Sequence, residues 1–163
     1  MKNNIFILNK VNERIISQLV NIHFSALNEF NFRNWSFQDF VDLINNGSSI
    51  FYYVLNNRIV GFSVVRFNED FTEIIIIAVD SNYQKKKIGQ NILNYIIDCP
   101  YFKGCMILDV AITNTNAINF YKKFGFKKIG QRKNYYLILA GDTAGQKIDA
   151  IVMQLQIHPT TSQ

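Results

Sequence analysis

Hydrophobic and polar positions in the first fifty residues follow a helical period. Apolar residues recur every three or four positions between Asn12 and Leu27, which predicts an amphipathic helix with Asn12 as its N-cap. Ser36, followed three residues later by Asp39, predicts the start of a second, short helix over Phe37–Ile44. The apolar face of the first helix is predicted to consist of Ile15, Leu19, Ile22 and Ala26.

Shorter apolar runs between turn residues predict strands. The run Glu73–Val79, EIIIIAV, is apolar without alternation, which is typical of a central strand buried on both faces. Asn56-Asn57 predicts a hairpin turn, and Asn68–Asp70 predicts another turn. The predicted strands are Ile5–Leu8, Ile50–Leu55, Ile59–Arg66, Glu73–Val79, Met106–Ile112, Tyr135–Leu139 and Ala150–Ile157.

Helical spacing returns twice in the second half of the chain. Pro100 stops the first of these helices, and Gly125 ends the second. Their apolar stripes are Ile88, Ile92, Leu93 and Ile96 in the first, and Ala117, Tyr121 and Phe124 in the second. The order β-α-α-β-β-β, then α-β-α-β-β, predicts one α+β domain over residues 1–157 with a mixed sheet, followed by a tail at 158–163. The central β-α-β crossover is expected to be right-handed.

Composition narrows the class of protein. Apolar residues make up 48% of the 163 positions, with 14 Phe and 8 Tyr, which excludes a disordered chain. The formal charge of +5 suits anionic partners, nucleotides included. The chain lacks a run of about 18 apolar residues, and its first apolar run is too short for a signal peptide. We therefore expect a cytoplasmic protein without membrane contact.

The cysteines and histidines give no sign of a metal site. Cys99 and Cys105 are expected to be reduced thiols, because their spacing fits neither a zinc site nor a redox motif. His23 and His158 lie outside every motif, and we expect them to be structural or exposed. No bound metal is predicted.

The stretch Ser81–Leu93, SNYQKKKIGQNIL, lies between a buried strand and an amphipathic helix. The first N–H groups of a helix bind anions at such a junction, and Gly89 lets the backbone approach a ligand closely. Three interpretations stay open on the residues alone: a cradle for a pyrophosphate, a solvated charged turn, and a nucleic-acid patch. The lysines form one cluster without interleaved aromatic residues, which disfavours the nucleic-acid patch.

Two blocks of sequence carry a family resemblance. AVDSNYQKKKIGQNIL resembles the acetyl-CoA signature of the GNAT superfamily of N-acetyltransferases, with Gln84 and Gly89 at matching positions and Lys87 where the first glycine is usual. LDVAITNTNAINFYKKFGFKKIGQRKNYY is similar to the bacterial ribosomal-protein-alanine N-acetyltransferases, as are NWSFQDF and DAIVMQL. Asp109 stands in place of that family's glutamate and Ala111 in place of its arginine, and the segment Leu137–Ile148 is longer than usual.

The resemblance implies a fold, a cosubstrate and an acceptor. The fold is the GNAT type, with the sheet splayed between strands Glu73–Val79 and Met106–Ile112. The cosubstrate is acetyl-CoA, and the acceptor is a protein or peptide N-terminal α-amine, possibly of a ribosomal protein, that attacks directly in a ternary complex. Alternatives are a non-catalytic acyl-CoA-binding module, or an enzyme that acts on a lysine side chain or a small amine. No direct nucleic-acid partner is expected, and the oligomeric state is left open. The predicted cofactor-binding residues are Ile77, Ala78, Val79, Gln84, Lys85, Lys86, Lys87, Ile88, Gly89, Gln90 and Asn114.

Acetyl transfer requires a neutral amine and a proton donor for the leaving thiolate. An α-amine has a pKa near 8, so it needs less help from a base than a lysine at about 10.4. Asp109 and Glu73 are the candidate bases, and a strand period of two predicts Glu73, Ile75 and Ile77 on one face. Tyr121 matches the family's general acid. Tyr135 and Tyr136 are expected either to line the acceptor site or to pack in the core.

Overall fold

The computed structural model describes residues 4–157, so His158 and the predicted tail at 158–163 lie outside the described residues. The fold of residues 4–157 confirms the predicted α+β class and the predicted order of elements. Short 3-10 turns at Asn28–Phe30 and Ser81–Tyr83 were not predicted. The strands and helices are β1 (Ile5–Leu8), α1 (Glu13–Leu27), α2 (Phe37–Asn45), β2 (Ser49–Leu55), β3 (Arg58–Phe67), β4 (Thr72–Val79), α3 (Ile88–Ile97), β5 (Cys105–Ala111), α4 (Thr115–Phe124), β6 (Lys127–Leu137) and β7 (Lys147–Gln156).

All seven strands form one sheet in the order β1-β2-β3-β4-β5-β7-β6. Neighbouring strands are antiparallel except β4 and β5, which are parallel and joined by the crossover through α3. Asn56 and Asn57 both have positive φ, the backbone that a two-residue hairpin turn requires, and they join β2 to β3 as predicted. None of the helices in residues 4–157 is long and apolar enough to cross a membrane.

Helices cover both faces of the sheet, and each face has its own hydrophobic cluster. α3 and α4 pack on one face, where the four predicted apolar residues of α3 are all buried. On α4 the structure adds Ile118 to the predicted stripe, while Ala117 and Phe124 are only partly buried. α1 and α2 pack on the opposite face, with Phe40 and Phe62 in edge-to-face contact.

The apolar face of α1 is rotated relative to the prediction. Leu19 and Ile22 are buried as predicted, but Ile15 and Ala26 are only partly buried. The remaining buried positions of the helix are Ile16 and His23. Ile15 and Ile16 are both apolar and adjacent, so periodicity alone does not decide between them, and histidine is not counted as apolar.

The last two strands are longer than predicted. β6 begins at Lys127 rather than Tyr135, and β7 begins at Lys147 rather than Ala150. β6 is an edge strand that pairs only with β7, and its residues are mostly exposed. An exposed edge strand needs no alternation of apolar residues, so the polar run KKIGQRKN gave no strand signal.

A bulge in β4 overturns the predicted face of that strand. Ile74 pairs with Val65 and Ile76 pairs with Val64, so Ile75 is an extra residue without a partner on β3. Ile75 and Ile76 both pack towards α1 and α2, and Ile77 turns to the α3 side. Glu73 and Ile75 therefore share a face that Ile77 does not share, because the extra residue resets the alternation.

The sheet is splayed between β4 and β5, as the resemblance implied. Residue pairing in this parallel ladder covers only Thr72–Met106, Glu73–Ile107 and Ile74–Leu108. Beyond Ile74 and Leu108 the strands separate, while each remains paired on its other side with β3 or β7. A wedge-shaped gap with unpaired backbone groups on both walls follows from this divergence.

Candidate active site

The loop before α3, residues 84–90, exposes backbone N–H groups to the gap; we call it the cradle loop. Lys85 and Lys87 both have left-handed backbone, and Lys87 is the N-cap of α3 without a side-chain capping bond. The first helical bond at this end runs from Asn91 N to Lys87 O at 2.9 Å. The N–H groups at 88–90 precede it and lack an acceptor within the helix, which makes this end suitable for an anion.

The three lysines of the cradle loop have different surroundings. Lys85 and Lys87 line the large cavity beside the gap, whereas Lys86 does not. The ammonium of Lys86 lies 4.9 Å from the centre of the Tyr83 ring, a cation–π contact. A methyl group at Gly89 would lie 3.4 Å from Phe120, an ordinary van der Waals contact, and the glycine itself lines the cavity.

One cavity of about 1010 Å³ connects the cradle loop with the gap between β4 and β5. This volume lies at the upper end of the range for ligand pockets, and it leaves room for two substrates. Of the predicted cofactor residues, all except Lys86 line it. Those residues are Ile77, Ala78, Val79, Gln84, Lys85, Lys87, Ile88, Gly89, Gln90 and Asn114.

Asn114 has the capping role predicted for it. Its side-chain oxygen accepts a hydrogen bond of 3.1 Å from Ala117 N at the start of α4. The side chain also lines the cavity, so its amide nitrogen is available there. Capping and ligand contact are compatible, because the cap uses only the oxygen.

Asp109 lies on the wall of the cavity formed by β5. Its neighbours Leu108 and Val110 pack on the α3 and α4 side, so the carboxylate is on the opposite face. Arg132 Nε on β6 donates to both carboxylate oxygens, at 3.0 and 3.2 Å. The pair is partly exposed, which keeps the interaction weak and lets it open.

Glu73 shares the face of Asp109 but not its access to the cavity. It lies on the part of β4 that still pairs with β5, opposite Ile107. Its carboxylate contacts Arg66 at 3.4 Å, and it is not among the cavity-lining residues. Of the two candidate bases, the structure brings Asp109 to the cavity and leaves Glu73 outside it.

Tyr121 reaches the cavity from the other face, through the buried side of α4. Its side chain is only 5% exposed and contacts Phe120 and Phe126 edge-on or tilted. Burial raises the pKa of Tyr121 well above its usual value, and the nearby Tyr136 adds to the shift. The phenol is therefore fully protonated at neutral pH and able to donate.

An aromatic wall, formed by residues from the segments 30–35 and 135–139, lines another part of the cavity. Phe32 stacks on Tyr136 with ring centres 4.9 Å apart, and Tyr135 meets Tyr136 edge-on at the same distance. Leu139 N donates to Asn31 O at 2.8 Å and joins the two segments. Tyr135 and Tyr136 thus line the cavity, but Tyr135 is half exposed and does not belong to the core.

His23 is a buried side chain of α1 on the same wall. The ring is 3% exposed, stacks on Trp35 with centres 5.1 Å apart and lines the cavity. Burial lowers the pKa of His23 to about 4, and the charge of Arg33 adds to the shift. His23 is therefore neutral at pH 7. It was expected to be structural or exposed, and its place in the cavity was missed.

Sequence reasoning also missed Arg132 and Phe32. Arg132 belongs to the run QRKNYY, where the tyrosines were singled out and the arginine was passed over. Phe32 has no local signal, because its partner Tyr136 is more than a hundred residues away on β6. His23 stacks on Trp35, and no motif in the sequence marks that contact.

The cavity fits acetyl-CoA in three respects. Free N–H groups of α3 and two lysines can hold a pyrophosphate. Unpaired strand edges at 75–79 and 109–111 can hydrogen-bond the amides of an extended pantetheine arm. The glycine at position 89 lines the cavity and lets the backbone approach a ligand closely.

Comparison with known proteins agrees with this geometry. The Acetyltransferase (GNAT) family matches residues 15–126, more than half of the chain. The [Ribosomal protein bS18]-alanine N-acetyltransferase of Escherichia coli K12 is 31% identical over 127 residues, which cover 76% of this chain and 81% of that protein. An N-alpha-acetyltransferase of Sulfolobus acidocaldarius is 28% identical over 137 residues, covering 74% and 79%.

A solved structure shows the same fold over nearly the whole length. The crystal structure of the ribosomal-protein-S18-alanine N-acetyltransferase from Escherichia coli has a TM-score of 0.77 and 24% identity, and the match covers 98% of this chain and 99% of that one. Together with the family match, the splayed sheet and the cradle loop lead to one assignment. This chain belongs to the GNAT family and is an N-acetyltransferase with acetyl-CoA as its cosubstrate.

Proposed function

We propose that this enzyme acetylates the N-terminal α-amine of a protein, with a ribosomal protein as the candidate acceptor. The observation that carries the proposal is that Asp109 and Tyr121 reach one cavity from opposite faces of the sheet, where β4 and β5 separate. The names of the relatives support the choice of acceptor, because two of them act on α-amines.

We assign Asp109 as the base. Its carboxylate takes the proton of the incoming ammonium, directly or through a water molecule. Arg132 holds the carboxylate until then, and the partial exposure of the pair lets the guanidinium move aside. Glu73 is the less favoured candidate, since it contacts Arg66 and pairs with β5 and does not line the cavity.

Tyr121 is assigned as the acid. When bound, acetyl-CoA supplies a thioester whose sulfur leaves as a thiolate. The buried phenol stays protonated until that moment because its pKa is raised, and it then delivers its proton to sulfur. A free backbone N–H within Ile77–Val79 is positioned to stabilise negative charge on the thioester oxygen.

One observation favours a second acceptor class. The bond from Leu139 N to Asn31 O and the stacking of Phe32 on Tyr136 join two segments into one aromatic wall of the cavity. An aromatic wall also suits the cation of a small amine. The experiment must therefore include acceptors of both sizes.

A thiol-release assay with matched acceptors tests the proposal. The panel comprises peptides that begin with Ala, Ser or Met, the same peptides with a blocked α-amine and one internal lysine, and spermidine. We expect acetyl-CoA-dependent release with the free α-amine peptides only, with acetylation located at residue one by mass spectrometry. Thiol release with the blocked peptides or with spermidine, and none with the free α-amine peptides, would overturn the assignment of the acceptor.

A further inference from the structure

His23 is a polar side chain in the cavity that the proposed mechanism does not use. The residue is only 3% exposed, and it lines the cavity from α1. Asp109 faces the same side of the sheet as α1, so His23 and the proposed base lie on the acceptor side together. The few polar groups that line an otherwise apolar cavity usually fix the orientation of a ligand.

One ring nitrogen of His23 is occupied. Trp35 N donates a long hydrogen bond of 3.5 Å to Nδ1. The stacking of Trp35 on the imidazole, at an angle of 22°, fixes the ring plane. In turn, Arg33 pairs with Asp39 at 2.8 and 2.9 Å, and Asp39 caps α2 with Ser36, which holds this segment in place.

The other nitrogen, Nε2, forms no hydrogen bond with residues 4–157 and is not fully buried, so it is accessible from the cavity that His23 lines. Nδ1 accepts a hydrogen bond, so in the neutral ring the proton is on Nε2. The charged groups that face the ring are Arg33 and Asp39, and the low pKa of about 4 keeps the ring neutral at pH 7. His23 thus offers a neutral N–H donor to the cavity and does not repel an ammonium ion.

We propose that His23 Nε2–H donates a hydrogen bond to the first carbonyl oxygen of the acceptor peptide and so selects an α-amine next to a carbonyl. In a peptide N-terminus, the carbon that carries the amine is bonded directly to the carbonyl group. A lysine side chain has only methylenes beside its amine, and a polyamine has no acceptor oxygen at all. The proposal rests on the N-terminal acceptor of the preceding section and names the residue that recognises it.

The test compares two peptides and two variants. One peptide begins with alanine, and its analogue replaces the first peptide bond by a trans alkene, which keeps the shape and removes the carbonyl oxygen. His23→Phe keeps the stacking on Trp35 and removes the donor, whereas His23→Gln keeps a donor near the position of Nε2. Phe24→Gln, at an exposed position of the same helix, is the matched control.

We expect His23→Phe to lower kcat/KM about tenfold for the normal peptide, the loss of one hydrogen bond, and to leave the alkene peptide unchanged. His23→Gln should restore most of the activity on the normal peptide, and Phe24→Gln should match the wild type on both. The difference in amine pKa between the peptides cancels, because each ratio compares enzymes on the same peptide.

The outcomes separate the two proposals. An equal loss of kcat/KM with both peptides, or no loss with either, overturns the role of His23 while the wild-type rate upholds the acceptor. Failure of the wild-type enzyme to acetylate any α-amine peptide overturns the proposed function and this inference with it. If His23→Phe does not fold, as judged by circular dichroism, the comparison of His23→Gln with an alanine variant at 23 replaces it.

Discussion

The cradle loop and the aromatic wall line the same cavity and are built in different ways. The cradle loop is a continuous stretch of seven positions, 84–90, whose shape comes from its own backbone. The aromatic wall joins two segments about a hundred residues apart through Phe32, Tyr136 and the bond between Leu139 and Asn31. The shape of the cradle loop is set by its backbone and should tolerate substitution of its side chains. The shape of the aromatic wall is set by side-chain contacts and should change when one of them is substituted.

The largest effect on the catalytic rate is expected at Tyr121, which lines the cavity together with the cradle loop and the aromatic wall. Tyr121→Phe should lower kcat by about 10²–10⁴-fold, because general acid catalysis acts when charge builds on sulfur. The affinity for acetyl-CoA should stay nearly unchanged, since the hydroxyl contributes little in the ground state. Single-turnover kinetics and calorimetric titration measure the two quantities. Full activity of the variant across the pH range would remove the acid assignment and require water to deliver the proton.

The next effect concerns stability and belongs to the aromatic wall. The pKa of His23 is lowered from 6.5 to about 4 on folding, so the unfolded chain binds more protons between these values. Stability contributed by the neutral ring is full above pH 6.5 and is lost as the pH falls towards 4, by about 3 kcal/mol in total.

Urea unfolding of the wild type and His23→Gln at pH 7.5, 6, 5 and 4.5 measures this contribution. The difference in free energy of unfolding between the two proteins should shrink as the pH falls. Phe24→Gln serves as the control and should follow the wild type. Parallel curves for wild type and His23→Gln would show that the histidine does not titrate in this window.

These two sites show how far the sequence alone could predict the molecule. The residues alone left three interpretations of the cradle loop open, and the family resemblance favoured the pyrophosphate cradle. Of its predicted residues at 84–90, all except Lys86 line the cavity. The splay was predicted from family resemblance and is present. The place of Phe32 could not be predicted, since it depends on contact with a distant segment. The place of His23 in the cavity was missed because its contact with Trp35 belongs to no motif.

The predicted face of β4 and the predicted start of β6 were wrong for related reasons. A run of four isoleucines has the same apolar pattern with or without a bulge. The sequence therefore did not indicate that Ile77 would lie on the opposite face from Ile75. β6 is exposed at the edge of the sheet, where pairing with β7 alone decides its length. Pairing partners are a property of the fold and are invisible to local periodicity.

A smaller effect tests the base. Asp109→Asn should lower kcat less than about 100-fold at pH 7, and the loss should shrink towards pH 8 as more of the α-amine becomes neutral. Asp109→Glu should retain activity or raise it, because it restores the longer side chain of the resembling family. Glu73→Gln is the matched control and should be close to wild type. Loss of activity in Glu73→Gln, with Asp109→Asn unaffected, would move the base to Glu73.

The smallest effect belongs to the cradle loop. Lys87 holds a left-handed backbone that costs a non-glycine residue about 1 kcal/mol, so Lys87→Gly should raise the free energy of unfolding by that amount. Lys86 lacks positive φ, so Lys86→Gly should give no gain. Chemical denaturation of both variants measures the contrast. Equal behaviour of the two would mean that the loop is not strained.

The three-residue ladder between β4 and β5 has a consequence for motion. It divides the sheet into a block of β1–β4 and a block of β5, β7 and β6, joined at one end of the seam and bridged by the packing of α3. Amide hydrogens along the open seam should exchange with deuterium far faster than those of the flanking antiparallel ladders. An acetyl-CoA molecule lying in the seam would act as the missing strand, so its binding should slow exchange on both blocks at once and make them unfold as one unit.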